Sequence, residues 1–447
     1  MKNNRRTFLK QAGAFGAFGL IGGLPNEAIA AKRTSVAPSD QIRFGLIGAN
    51  GMGWTNMRSH LEMSEVDCVA ICDVDQRVLD RRTAEAETIR GQKPDQYKDF
   101  RKLLERQDID AVIIGTPDHW HCLPMVAACQ AGKDVYVEKP LANSIAECGI
   151  MRQAASQYGR MVQVGQWQRS GQHYAHAIDF VRSGKLGRIS IVKVWSYRGG
   201  VNGLEVKPDT AAPTEVDYNM WLGPAPKRPF NQNRFHGSFR WYWDYAGGLM
   251  TDWGVHEIDI ALFAMNAVAP VSVTAGGGKF AFPDDAKQTP DTLQAIYEFD
   301  SFNMLWEHGT GLDFGNYGRS EGIAFIGNDA TLVVNRQGWE VISETENVDG
   351  IRKYKVEMLP EQPRIGNPLV EHAENFVAAV KSRKLEDLKC PIESGSVAAV
   401  NAHMGNIAFR TERKIFWDKD KGLFRNDPEA SKMITPQYHN GWELPRV

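Results

Sequence analysis

The chain has 447 residues, 52 Lys and Arg against 54 Asp and Glu for a formal charge of −2, and a hydrophobic content of 43%. That length supports a large core and two domains, and the near-neutral balance argues against a nucleic-acid or anionic-membrane partner. Six cysteines (68, 72, 122, 129, 148 and 390) show neither a paired framework nor metal-type C-x-x-C spacing, so buried free thiols are expected.

The N-terminus reads Asn4-Arg5-Arg6-Thr7-Phe8-Leu9-Lys10, then a Gly- and Ala-rich apolar run from Ala12 to Leu24, then Ala28-Ile29-Ala30 with small-x-small form. This is the pattern of a twin-arginine signal peptide over residues 1–30, which predicts export of the folded protein by the twin-arginine machinery to the periplasm. The apolar run is too short and too rich in glycine to span a bilayer, no later segment is long enough, and no stable membrane insertion is expected. Residues 1–30 carry a net +3 from Lys2, Arg5, Arg6, Lys10 and Glu27, so the mature chain has a formal charge of −5.

The mature chain opens with a predicted strand, Ile42 to Ile47, a loop Gly48-Ala49-Asn50-Gly51-Met52-Gly53, and a helix from Trp54 to Met63. Small residues before a helix N-terminus let main-chain N–H groups approach a dinucleotide pyrophosphate. The loop departs from G-x-G-x-x-G because Asn50 holds the middle position and the spare glycine is Gly51. A second strand, Val66 to Cys72, ends at Asp73, about 20 residues past Gly53, where an acid binds ribose hydroxyls and disfavours a 2′-phosphate. NAD is therefore favoured; NADP stays open because Arg77 follows one turn later. Asp73 also suits an N-cap for a helix from Val74 to Ile89.

Strands and helices then alternate: Ala111–Gly115, His119–Ala131, Asp134–Val137, Ser144–Tyr158 and Met161–Val164. Such alternation predicts a doubly wound parallel sheet that binds ligand at its strand C-terminal ends, where Thr116, Pro117, His121, Glu138 and Lys139 fall. From about Gly187 strands follow one another: Ile189–Tyr197, Val271–Ala275, Thr292–Phe299, Phe302–Glu307, Gly322–Ile326 and Ala330–Asn335. They predict a second, α+β domain with a large open, mostly antiparallel sheet. A long aromatic loop (Gly199–Trp243) and a helix beginning near Asp252 interrupt it. Helices Leu369–Lys381 and Ser394–Ala408 and an irregular tail complete the chain. The predicted boundaries are a signal peptide 1–30, a Rossmann dinucleotide-binding domain 41–165, a substrate and oligomerisation domain 166–415, and a tail 416–447.

Together, the glycine loop, Asp73, Thr116-Pro117, Glu138-Lys139-Pro140 and Asp252-x-Gly254-x-His256-x-x-Asp259 resemble the Gfo/Idh/MocA oxidoreductases, in particular an exported subgroup. The resemblance covers about residues 41 to 410. It implies an NAD(P)-dependent oxidoreductase acting on a CH–OH group of a sugar, cyclitol or glycoside, with Lys139, Asp252 and His256 as the catalytic constellation. It also implies a homo-oligomer, dimer or tetramer, built through the open sheet face. The implied cofactor contacts are Gly48, Asn50, Gly51, Met52, Gly53, Asp73, Thr116, Pro117, His121, Glu138 and Lys139; Gln168, Arg169, Tyr174 and Arg240 are candidates for the substrate side.

The chemistry is consistent with that carry-over. Alcohol oxidation needs a base, a positive group at the reacting oxygen and a nicotinamide in reach. Residues Asp252 and His256 at i, i+4 share a helix face, and Lys139 and His256 can exchange the roles of base and polarising group. A metal reading of Asp252, His256 and Asp259 lacks a clear further ligand, so no metal is expected. NAD(H) is not expected free outside the cytoplasm, so an exported enzyme needs a tightly held cofactor serving two half-reactions. Redox-assisted glycoside cleavage through a keto-sugar and a non-catalytic sugar-binding protein are the alternatives.

Overall fold

The computed structural model describes residues 40–447, of which Gln41–Val447 form one compact unit. The twin-arginine segment with Arg5 and Arg6, and the cleavage site at residues 28–30, lie outside the described residues. No helix among the described residues is long and apolar enough to cross a membrane.

Six parallel strands form the first sheet: β1 (Ile42–Ile47), β2 (Val66–Cys72), β3 (Asp95–Tyr97), β4 (Ala111–Ile114), β5 (Asp134–Val137) and β6 (Val162–Val164), in the order β3-β2-β1-β4-β5-β6. Strand order reverses between β1 and β4, the crevice where doubly wound sheets bind nucleotides. The three-residue edge strand β3 is too short and too polar for the apolar pattern to have revealed it. Helix Gly51–His60 turns Trp54 and Met57 into the core beneath β1. Helix Pro368–Ser382, far along the chain, covers the same face. Its Phe376 is fully buried, with its ring 6.2 Å from that of Phe44, and burial of such a ring contributes roughly 2–3 kcal/mol.

The second sheet has ten strands. They are β7 (Ile189–Arg198), β8 (Ser272–Gly278), β9 (Thr292–Glu298), β10 (Asn303–Thr310), β11 (Glu321–Gly327), β12 (Ala330–Val334), β13 (Gly338–Ser343), β16 (Leu359–Pro363), β17 (Ile415–Asp418) and β18 (Leu423–Phe424); β14 (Thr345–Val348) and β15 (Ile351–Tyr354) form a separate hairpin. Pairing is antiparallel throughout except between β7 and β10. Alternate residues such as Val192, Val194, Met304 and Trp306 face helices Gln172–Arg182, Val255–Met265 and Ile392–Thr411. Across the other face Trp195, Ala324 and Val333 form a small cluster, and Ile191 and Ile296 stay about 40% exposed. The tail predicted as irregular contains β18 and a short helix, Pro428–Lys432, capped by Asp427. All six cysteines are buried free thiols.

Candidate active site

A cavity of about 430 Å³ opens along the C-terminal ends of β1, β2, β4 and β5. Its glycine loop works through main-chain geometry. Gly48 has φ +82°, and a Cβ there would lie 2.6 Å from the Thr116 nitrogen. Gly51 takes φ +49°, so the glycine displaced from the usual middle position supplies the left-handed residue. Asn50 has an ordinary extended conformation, and its side chain reaches Arg81 (3.2 Å) and His236 (3.3 Å). Gly53 lies off the wall, where a Cβ would strike the Gly48 carbonyl oxygen at 1.9 Å; it lets the helix approach the sheet.

Asp73 lies on the wall, accepting from the Ala49 and Asp75 main-chain N–H groups at 2.8 and 3.0 Å. The predicted alternative role as helix cap is corrected, since Asp75 caps that helix by accepting from the Arg77 N–H. Arg77 itself forms a bidentate pair with Asp75. Thr116, Pro117, Met52, Glu138 and Lys139 line the cavity. His121 does not; it is 1% exposed, and its ring nitrogens face the carbonyl oxygens of Pro140 (2.7 Å) and Thr116 (2.9 Å). It therefore ties two wall loops together.

On the cavity wall, the Lys139 ammonium donates to Asp252 Oδ1 at 2.7 Å and to the Asp252 carbonyl oxygen at 2.9 Å. Asp252 lies in a π-helical turn, Met250–Gly254, that runs into helix Val255–Met265, and such turns cluster at functional sites. Arg240 approaches the other carboxylate oxygen at 3.2 Å. Burial pushes the Asp252 pKa up, but Arg240 and Lys139 overcome it and hold the carboxyl well below its usual range. His256, expected in the catalytic constellation, does not line the cavity; it is 4% exposed and packs against Trp167 and Trp253 at 5.9 and 6.3 Å. Its Nδ1 has no hydrogen-bond partner among the described residues, and burial with Arg336 and Lys139 keeps it neutral, well below its ordinary pKa. No hydrogen bond among the described residues joins His256 to Lys139 or Asp252.

Of the substrate-side candidates, only Arg240 reaches the cavity. Arg169 forms a buried bidentate pair with Asp259 at 2.7 and 2.8 Å, which fixes helix Val255–Met265 and occupies both Asp259 oxygens. Tyr174 is fully buried and accepts from Gln168, whose carbonyl oxygen accepts from Arg336. These three are packing and positioning residues, contrary to the sequence expectation.

Sequence reasoning missed much of the cavity's roof and one carboxyl group. Met220, Trp221, His236 and Phe239, from the long loop, close over the cavity. The loop is fastened by main-chain bonds from Gln76 to Glu215 and from Asp217 to Val74, and by His236, whose Nε2 meets Asp75 Oδ2 at 3.1 Å. Phe100 and Trp120 form an aromatic wall braced by Trp442 of the tail. Asp118 lies on the wall; burial pushes its pKa up to about 7, Lys139 and Arg240 acting downward and Asp252 upward.

The crevice, glycine loop, acid at the end of β2 and lysine–aspartate pair are the features of a nicotinamide-dinucleotide-binding oxidoreductase class. Residues 42–166 match the family described as oxidoreductases with an NAD-binding Rossmann fold, and residues 180–444 match that family's C-terminal alpha/beta domain. The chain thus belongs to the Gfo/Idh/MocA oxidoreductase family.

Among curated proteins, a glycosyl hydrolase family 109 protein of Shewanella pealeana is 32% identical over 204 residues. The match covers 42% of this chain and 45% of that relative, so the chain aligns with less than half of the relative's length. The fold is similar to aldose-aldose oxidoreductase from Caulobacter crescentus, crystallised with glycerol (TM-score 0.62, 17% identity, 84% of this chain and 100% of that one). It is also similar to the WlbA dehydrogenase of Bordetella pertussis in complex with NADH and UDP-GlcNAcA (TM-score 0.60, 17% identity, 85% and 99%).

Proposed function

We propose that this protein is an NAD(P)-dependent oxidoreductase acting on a secondary alcohol of a sugar, cyclitol or glycoside, with its nucleotide retained between turnovers. The observation that carries this reading is the Lys139–Asp252 pair on the wall of the nucleotide cavity. The residues fit the cofactor: Gly48 has no room for a Cβ on the loop, and Asp73 stands at the end of β2. Gly48, Asn50, Gly51, Asp73, Thr116 and Pro117 would hold it. When bound, the nicotinamide supplies the hydride acceptor. Asp73 and the pairing of Arg77 with Asp75 favour NAD over NADP.

Lys139 donates a hydrogen bond to the reacting oxygen and stabilises the negative charge that grows there. Asp252, kept ionised, orients the lysine ammonium. His256, one turn beyond Asp252 but off the cavity wall, is the candidate acceptor of the hydroxyl proton once substrate is bound; Lys139 and His256 can exchange these roles. The loop roof over the cavity supports retention. A site that keeps its nucleotide must receive an alcohol and then a carbonyl compound, which suits the periplasmic location implied by Arg5 and Arg6. The uncovered face of the ten-stranded sheet, with Ile191 and Ile296, suits a homo-oligomer.

Purification without added nucleotide, denaturation and mass spectrometry of the released small molecules tests this reading. Stoichiometric NAD or NADP that is reduced when sugars are added is expected; an empty protein unresponsive to any sugar would refute it. A second reading, glycoside cleavage through a keto-sugar, is favoured by the name of the Shewanella relative. Release of an aglycone with no net change in bound nucleotide would select it.

A further inference from the structure

Two guanidinium groups stack on Trp253, the neighbour of Asp252. Arg198 lies 3.8 Å from the ring centroid and Arg336 4.1 Å, and Arg336 also lies 4.5 Å from the Trp167 ring. Topology brings them together. Strands β7 and β12 both pair antiparallel with β11, so they run the same way. Arg198 ends β7 and Arg336 follows β12, at the edge where His256 packs against both tryptophans.

These cations are poorly compensated. Arg336 donates from Nε and Nη2 to the neutral Gln168 carbonyl oxygen at 3.2 and 3.0 Å. Arg198 makes no side-chain hydrogen bond or ion pair with a described residue. Burial pushes its pKa down, with Glu321 acting upward and Arg336 downward. Of the nearby carboxyls, Glu257 stays protonated at neutral pH because burial raises it to about 8. Glu321 accepts from the Ser320 hydroxyl at 3.0 Å and from the Arg336 main-chain N–H at 3.4 Å. Two carboxylates therefore act on Arg198, Glu321 and the Asp252 already paired with Lys139 and Arg240, and a half-buried charge without an ion-pair partner among the described residues is costly. The orphaned His256 Nδ1 is a second unmet polar group of this cluster.

We propose that Arg198 and Arg336 form an anion subsite beside the Asp252–His256 segment, and that the substrate is a carboxylate-bearing sugar, a uronate or its glycoside. The proposal rests on the dehydrogenase reading for its reaction but not for its binding. A guanidinium fork matches the planar carboxylate, and the excess positive charge favours an anionic over a neutral sugar.

The test is calorimetric binding to the protein with its own nucleotide in place. It uses matched probes: methyl glucuronide against methyl glucoside, methyl galacturonide against methyl galactoside, and glucose 6-phosphate against glucose. At least one uronide is expected to bind about tenfold or more tightly than its neutral partner. That preference should fall to within about twofold in Arg198→Gln and in Arg336→Gln and recover in part in Arg198→Lys, with nucleotide content unchanged. Equal affinities within each wild-type pair, no uronide binding, a preference confined to glucose 6-phosphate, or a preference that survives both glutamine variants would overturn it. The wild-type comparison stands even if a variant fails to fold. Uronide preference without nucleotide reduction by any sugar would refute the dehydrogenase reading while leaving the subsite intact.

Discussion

Replacing Glu257 by Gln should stabilise the protein progressively as pH rises. Glu257 has no solvent exposure, its Oε1 has no partner among the described residues, and Oε2 receives one bond from Gln168 at 3.3 Å. Burial raises its pKa from 4.5 to about 8 against the pull of Arg336. The folded state therefore keeps a proton that the unfolded state releases above about pH 4.5, so Glu257's contribution is whole below that pH and is lost as pH rises through about 8. One proton corresponds to about 1.4 kcal/mol per pH unit, so the full window amounts to roughly 5 kcal/mol. A neutral, nearly isosteric amide escapes that loss. At about 2 cal/mol/K of unfolding entropy per residue, the melting temperature of the variant relative to wild type should climb by up to about 6 °C between pH 5 and 9. Scanning calorimetry of both proteins across that range is the assay. Parallel curves would show that Glu257 is ionised in the folded protein and would remove the charge imbalance argued for Arg198 and Arg336.

Four further outcomes are expected. Lys139→Met should slow single-turnover reduction of bound nucleotide by about 10²- to 10³-fold while nucleotide content, read after denaturation, stays stoichiometric; turnover within threefold of wild type would sink the role given to Lys139. His236→Ala removes the side-chain link from the roof to Asn50 and Asp75 and should speed nucleotide release about five- to thirtyfold in a dilution and displacement assay; unchanged release would mean the roof is held by its main-chain bonds alone. Asp118→Asn should abolish a pH–rate limb near 7, and persistence of that limb reassigns it to another group. Gly48→Ala forces a side chain to φ +82° and against Thr116, so the variant should purify without nucleotide and melt lower; normal nucleotide content would contradict the loop geometry.

Much of this fold was legible because its strands are strongly patterned. Residues 66–72 and 134–137 form strands with the predicted boundaries, since buried parallel strands read as continuous apolar runs. Lys139, Asp252 and Asp73 were legible for a different reason: each sits at a strand end or helix start, where spacing along the chain fixes position in space. Side chains whose role depends on a distant partner were not legible. Arg169 looked free for substrate in sequence, and only the fold brings Asp259, 90 residues away, to its Nε and Nη2. The roof escaped because a Pro- and Asn-rich loop carries no periodicity; the Asp118 environment escaped because it combines burial with the charges of Lys139, Arg240 and Asp252, which lie on three separate segments.

The site divides its carboxyl groups into two states by one physical means, the local count of cations. Asp252 has two within ion-pairing distance and stays ionised. Asp118 and Glu257, buried without an ion-pair partner among the described residues, hold their protons to about pH 7 and 8. Groups whose pKa values are pushed apart in this way can take different parts in one proton transfer. Because His256 is held unprotonated, well below its ordinary pKa, its own titration lies below neutrality, and a limb of turnover near pH 7 is expected from a carboxyl group such as Asp118. Protonation of Glu257 leaves Arg198 and Arg336 in excess over Glu321, Asp252 being already paired with Lys139 and Arg240. A neutral alcohol would leave that excess uncompensated; a carboxylate carried by the alcohol would meet it, which makes the protonation state of Glu257 part of substrate selection as well as of stability.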